Sequence, residues 1–296
     1  MKWEGNRESN NVEDVRGSGG GGGGFNLGGR SIGIGSIAIA LVASYFFGIN
    51  PLTVLNLLNG GGIPTPASQE QQGQRSQPQA PASDRTTRLV STVLADTEDT
   101  WAQLFSARGA RYAAPKLQIF SGSTSTACGT GQTASGPFYC PGDQKIYIDL
   151  AFYKLMQQRF QVSSDFAQAY VIAHEVGHHV QNISGTMAKV EAARERASPS
   201  QSNVLSVRLE LQADCYAGVW AFHANQSRSI LEAGDVEAAL AAATAIGDDA
   251  LQQQGQGYVV PDSFTHGSSA QRVRWFKRGI ESGDMASCNT FETKQL

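Results

Sequence analysis

Apolar and polar positions divide the chain into four stretches. The first thirty residues are polar and then glycine-rich, with Gly17, Gly19 to Gly24, Gly28 and Gly29. Such a stretch buries too little apolar surface to offset its ordering entropy, so residues 1–30 read as a flexible tail. From Ser31 to Gly48 the pattern inverts, and SIGIGSIAIALVASYFFG carries no charge. About 20 helical residues, at about 1.5 Å each, span a hydrocarbon core of about 30 Å, so residues 31–50 predict one transmembrane helix. Tyr45, Phe46 and Phe47 stand where an aromatic belt would lie. A cleaved signal peptide is the rival reading, but the run begins behind a long polar segment. Residues 51–84 turn rich in Gly, Pro, Gln and Ser and read as a linker.

The remaining stretch, residues 85–296, has the periodicities of one folded domain. Asp84 can cap a helix whose apolar positions Leu89, Val93, Leu94, Trp101, Leu104 and Phe105 keep helical spacing. Lys116 to Phe120 alternates like a strand, and Lys145 to Leu150 does so after the turn at Pro141-Gly142-Asp143. Beyond Phe152 the pattern is helical, with breaks near Gly185, Ser198-Pro199 and Gly255 to Gly267. Strands early and helices late predict an α+β domain, mainly helical with a small sheet, preceded by the single transmembrane helix.

Charge refines this picture. The net charge of -3 lacks the basic excess of a nucleic-acid binder. A GxGxxG reading of the N-terminal glycines is weak, because no strand precedes it. Lys2, Arg7, Arg16 and Arg30 precede the apolar run, and no Lys or Arg follows it until Arg75. That bias predicts a single-pass inner-membrane protein with a cytoplasmic N-terminus and a periplasmic or extracytoplasmic C-terminal domain. The bilayer is then a partner through residues 31–50. The four cysteines form no CxxC pair, which argues against a zinc ribbon.

Candidate chemistry lies on two helices. Residues 171–181 read VIAHEVGHHVQ. His174 and His178, four apart, share one helix face and can take adjacent corners of a zinc site. Glu175 is rotated by about 100°, near the metal without ligating it, where it can take a proton from an activated water. A bare HExxH arises by chance in on the order of one in a hundred chains of this length, so two unrelated surface histidines are the competing reading. His179 points elsewhere and reads as supporting or structural. On the second helix, VLSVRLELQADCYAGVWAF, Glu210 and Asp214 again share a face, and a buried carboxylate pair needs partners. Zinc for Glu210 and a ligand histidine's second N–H for Asp214 would satisfy both; a solvated pair is the alternative.

HEVGH followed by ELQAD resembles the gluzincin pattern of thermolysin-type metallopeptidases. More closely, the chain resembles the bacterial neutral zinc metallopeptidase family, the YpfJ-like proteins. The resemblance runs from Arg85 to the C-terminus through FYCPGDQKIYIDL, AHEVGHHVQ, ELQADCYAG and FTHGSSAQRVRWF, in that order. It implies a zincin-like domain with His174, His178 and Glu210 as zinc ligands, Glu175 as general base and Asp214 orienting a ligand imidazole. The gap between the two helices exceeds that of thermolysin, so fine geometry does not carry over.

Further features attach to this reading. Strand 145–150 lies where the clan usually places an edge strand that pairs with extended peptide substrate; an ordinary core strand is the alternative. His266, in a Gly/Ser-rich loop, can donate to the oxyanion of a tetrahedral intermediate, or have no role. Arg272 or Arg274 can pair with the carboxylates, and spacing does not say which. Cys128 with Cys140 and Cys215 with Cys288 are expected as disulfides of an oxidising compartment, thiol ligation by Cys215 being the alternative for the second pair. His223 reads as a helix C-terminal cap. Residues 185–203 read as a lid or a solvated connection. The expected function is a membrane-anchored, Zn2+-dependent endopeptidase acting on peptide or protein substrates. A non-catalytic zinc-stabilised envelope module and a peptidoglycan amidase are the alternatives. Substrate identity and oligomeric state are not legible.

Overall fold

The computed structural model describes residues 1–17, 84–133, 136–160 and 164–296. Its sheet has four strands in the order β1 (Val12–Asp14), β2 (Lys116–Phe120), β6 (Lys145–Asp149) and β5 (Phe138–Cys140). β1 runs parallel to β2 and β2 parallel to β6, with Leu117 beside Ile146 and Ile119 beside Ile148. β5 is antiparallel to β6. β3 (Ser123–Thr126) and β4 (Gly129–Gln132) form a separate antiparallel pair.

Helices build the rest, as their caps and apolar spacing require. α1 (Arg85–Ser106) starts at Asp84, whose side chain accepts from the Thr87 N–H, and it buries Leu89, Val93, Leu94 and Trp101. α2 spans Ala151–Phe160, and α3 (Asp165–Ile183) is capped by Ser164. α4 spans Thr186–Arg194. α5 (Pro199–Arg228) opens with a reciprocal cap between Ser198 and Gln201 and with proline in its first turn, where the missing N–H costs nothing. α6 (Asp235–Ala245) and α7 (Asp248–Gln256) follow. α8 (Ser269–Ser282) repeats the reciprocal cap with Ser268 and Gln271. α5 and α8 pack backbone to backbone. A Cβ on Gly279 would stand 2.0 Å from the Cys215 carbonyl oxygen, and one on Gly218 would stand 2.3 Å from that of Phe276. One apolar core joins these helices to the sheet through Ile119, Ile146, Phe166, Tyr170, Leu211 and Trp220. Cys128–Cys140 and Cys215–Cys288 are both disulfide-bonded.

Three expectations are corrected. Residues 31–50, read as a transmembrane helix, lie outside the described residues, as do most of the tail and linker. Among the described residues no helix is long and apolar enough to cross a membrane. The described fold is α+β, mostly helical with small sheets.

The polar tail reading also fails for its first half. Met1–Arg16 belongs to the same compact unit as Ser83–Leu296. Trp3 is buried and donates to Asp165 over 2.8 Å, and Arg7 donates to the Ala95 carbonyl. Ser9 and Asn11 both donate to Glu98, and Val12–Asp14 adds a strand to the sheet. The third correction concerns strand 145–150. β6 is not an edge strand: it pairs with β2 along its whole length and with β5 at Lys145 to Tyr147.

Candidate metal centre

α3 and α5 cross at Gly177, where an added Cβ would lie 3.0 Å from the Ala213 carbonyl oxygen. That close approach brings the face of α3 bearing His174 and His178 against the face of α5 bearing Glu210 and Asp214. His174 Nε2 lies 3.2 Å from one oxygen of Glu210, and His178 Nε2 lies 3.5 Å from the other. The two imidazoles are 4.7 Å apart and perpendicular. Four-coordinate zinc with bonds of about 2.0–2.1 Å sets its donor atoms about 3.3 Å apart, so this trio fits the ion. His174, His178 and Glu210 are thus a group that could hold a metal, with all ligand atoms within 4.8 Å of one another.

Each histidine is turned toward the trio by the partner of its other nitrogen. His174 Nδ1 lies 2.8 Å from Asp214 Oδ1, and His178 Nδ1 lies 2.9 Å from Gln181 Oε1. Asp214 is fully buried. It also accepts from the Tyr170 hydroxyl at 2.5 Å and from Arg272 through Nε and Nη2, both at 2.9 Å. Arg272 is therefore the arginine that pairs with the carboxylates, whereas Arg274 donates to the Leu296 carbonyl. Burial alone would push the Asp214 carboxyl up, but Arg272 and His174 outweigh it and hold it at about 2. For His174 burial acts downward, and Asp214 and Glu210 overcome it, raising the imidazole to about 10. Glu210 is held well below the usual range, because the histidines outweigh its burial. Such mutual stabilisation of cation and anion is the charge pattern into which a metal ion substitutes.

Glu175 is buried beside this group, and its carboxylate has no hydrogen-bond partner among the described residues. Burial, opposed by the two histidines, raises its pKa. A buried carboxyl with a raised pKa is suited to taking up and returning a proton.

His266 stands on the loop before α8. The backbone N–H groups of Thr265, His266 and Gly267 all donate to Asp248 Oδ2, and the ring Nδ1 lies 3.2 Å from Asp248 Oδ1. The next residue, Gly267, faces Val207 and Leu211 on either side of Glu210 along α5, so the loop borders the metal centre. His266 makes no hydrogen bond to the trio, though its charge helps lower Glu210.

The other candidates are placed elsewhere. His179 lies with Nδ1 3.1 Å from the Tyr139 hydroxyl and Nε2 2.6 Å from the Ala113 carbonyl, tying β5 and the approach to β2 onto α3. His223 does not cap its own helix, which runs on to Arg228; it meets the Gly283 carbonyl at the end of α8. Cys215, bonded to Cys288, is not a metal ligand. Residues 185–203 contain α4 and the start of α5. Tyr170, Gln181 and Asp248 were not singled out by sequence. Tyr170 and Gln181 stand four residues before His174 and three after His178, so helical spacing alone could have pointed to them.

A family model described as "Putative neutral zinc metallopeptidase" matches residues 1–291. The chain is similar to "Uncharacterized protein YpfJ" of Escherichia coli K12, 52% identical over 295 residues that cover 98% of this chain and 99% of that protein. It is also similar to "Uncharacterized protein Rv2575" of Mycobacterium tuberculosis H37Rv, 43% identical over 195 residues that cover 62% of this chain and 65% of that protein. No solved structure matches the chain. The family match takes in Met1–Arg16 together with the two helices that carry the trio, the same parts that fold as one unit. On this evidence the chain belongs to the neutral zinc metallopeptidase family.

Proposed function

We propose that the protein is a zinc-dependent endopeptidase, with His174, His178 and Glu210 holding the ion. The observation that carries this reading is Glu175: a buried carboxylate beside a three-donor group, with no hydrogen-bond partner among the described residues. Zinc with three protein ligands supplies a Lewis acid that lowers the pKa of water to about 7. Glu175 then accepts a proton from the attacking water and returns it to the leaving amine. His266, with Nδ1 turned to Asp248, has Nε2 left to donate to the developing oxyanion. The substrate is a peptide or protein. The edge strands of the sheet are β1 and β5, and an extended chain can add at a sheet edge.

The two disulfides favour an oxidising, extracytoplasmic setting for the domain. The test is Glu175→Gln. It should bind zinc stoichiometrically, as the wild type should, and lose peptide cleavage. Wild-type protein without zinc, or a Glu175→Gln variant that cleaves like wild type, sinks the proposal. Cleavage of muropeptides with no cleavage of casein-like proteins would replace it with an amidase.

A further inference from the structure

His174 and His178 are oriented by partners of different kinds, a carboxylate for the first and a neutral amide for the second. A carboxylate can only accept, but an amide can present either end, so something must turn Gln181. Its Nε2 lies 2.7 Å from the Leu209 carbonyl oxygen and 3.1 Å from Gln212 Oε1. A carbonyl only accepts, so the NH2 end faces Leu209 and the oxygen is left for His178. Gln212 is turned the same way. Its Nε2 donates to the Cys288 carbonyl at 3.1 Å, which leaves its oxygen for the second Gln181 hydrogen.

Two backbone carbonyls thus fix the direction of a chain of hydrogen bonds running from His178 through Gln181 and Gln212 to Cys288. Gln181 and Cys288 are fully buried, and Gln212 is nearly so. Cys288 is held by its bond to Cys215, and the tail beyond it by Thr290, which donates to the Arg208 carbonyl over 2.6 Å. Arg208, Gln212 and Cys215 are spaced to share one face of α5. Glu210 and Asp214 occupy the face turned to the metal centre.

We propose that the C-terminal tail is a positioning element of the metal centre. Gln181 and Gln212 are positioning residues that keep the Nδ1–H of His178 engaged and its Nε2 lone pair aimed at the ion. The Cys215–Cys288 disulfide holds the carbonyl that orients Gln212, and through it the second hydrogen bond of Gln181, so its redox state sets metal affinity. Reduction by an external dithiol breaks the S–S bond and yields two thiols, the dithiol becoming the disulfide. The Cys288 carbonyl then keeps only the hold of Thr290, Gln212 can turn its NH2 toward that of Gln181, and the Leu209 carbonyl alone is left to orient Gln181, which loosens the ordering of His178. This inference rests on the zinc reading above.

The experiment measures the zinc Kd of the full chain by competition with a chromogenic chelator, and the visible spectrum of the Co2+ form. Gln181→Met, which removes the acceptor at similar volume, should weaken zinc binding about 10–100-fold and alter the Co2+ spectrum. Gln212→Met and Cys215→Ala/Cys288→Ala should each weaken it about 10-fold, and combining them should add nothing, because they cut one chain of bonds. Cys128→Ala/Cys140→Ala should bind as wild type does. If the Cys215→Ala/Cys288→Ala variant does not fold, treating the Cys128→Ala/Cys140→Ala protein with dithiol makes the same comparison. Wild-type protein that binds no zinc overturns the zinc reading. Wild-type binding matched by Gln181→Met overturns this inference alone. A loss in Gln181→Met without one in the Cys215 and Cys288 variant or after reduction overturns the role of the tail.

Discussion

Asp214 and Arg272 meet in a two-point ion pair sealed from solvent: Nε lies 2.9 Å from Oδ2, Nη2 lies 2.9 Å from Oδ1, and the two side chains are 0% and 4% exposed. The same Oδ1 takes the His174 and Tyr170 bonds. One carboxylate therefore joins α3, α5 and α8, and its charge is neutralised from the helix farthest along the chain.

Removing the cation leaves that buried carboxylate with only His174 and Tyr170 to compensate it. Arg272→Met should cost about 3–5 kcal/mol of stability, well beyond the loss of an exposed pair. Denaturant unfolding of the metal-free protein measures it, and a cost under about 1 kcal/mol would show that Asp214 is reached by water.

The position of Arg272 depends on how closely α8 lies on α5. Gly279→Ala places a methyl 2.0 Å from the Cys215 carbonyl oxygen, so one of the helix backbones must move. A loss of about 1–3 kcal/mol is expected, together with weaker zinc binding as the bond from Arg272 to Asp214 lengthens. Thermal unfolding and zinc competition on one preparation report both, and a variant with native values in both would contradict the packing.

Much of the centre was legible because its information is local. His174 and His178, and Glu210 and Asp214, repeat at one helical turn, and the cap at Asp84 stands next to the helix it starts. Partners across the fold were not legible. Lys145 to Leu150 reads as a strand, but nothing within it says that β2 and β5 cover both sides. Arg272 and Arg274 are chemically alike, and only the packing of α8 separates them. Gln181 is an ordinary helix residue until Leu209 and Gln212 turn its amide. The largest miss was Met1–Arg16. Its composition lacks the apolar surface to fold alone, and it folds because α1 and β2 supply the partners; Trp3 in an otherwise polar stretch was the one available sign.

His266 sits in a setting that raises its pKa: burial works against this, but Asp248 and Glu210 outweigh it. The sign follows directly. A pKa above 6.5 keeps the ring protonated through mildly acidic pH, and the proton is lost as pH rises through the higher value. If the protonated ring serves the oxyanion, activity falls on the alkaline side with that loss. His266→Ala should lower kcat by about 10²–10³. Asp248→Asn keeps an oxygen for the loop N–H groups but removes one source of the shift, so its alkaline limb should move to lower pH. A pH profile of kcat for the three proteins decides the matter; coincident limbs for wild type and Asp248→Asn would rule this coupling out.

Trp3 gives the last test, because it links the first residues of the chain to the helix that carries the histidines. The indole is 4% exposed, donates to Asp165 at the start of α3, and lies under the Arg85 guanidinium, whose carbon stands 5.0 Å from the ring centroid. Arg85 in turn holds both Asp165 oxygens, at 2.8 and 2.7 Å. Truncating a buried indole leaves a cavity and an unfilled acceptor, so Trp3→Ala should cost about 3–5 kcal/mol. A polar tail that merely lies against the surface would give a change within about 0.5 kcal/mol. Denaturant unfolding followed by Trp fluorescence and by far-UV circular dichroism separates the two outcomes. Coincident midpoints shifted together would show that Met1–Arg16 and the metal-bearing helices unfold as one unit, whereas an unshifted circular-dichroism midpoint would detach the N-terminal strand from the fold.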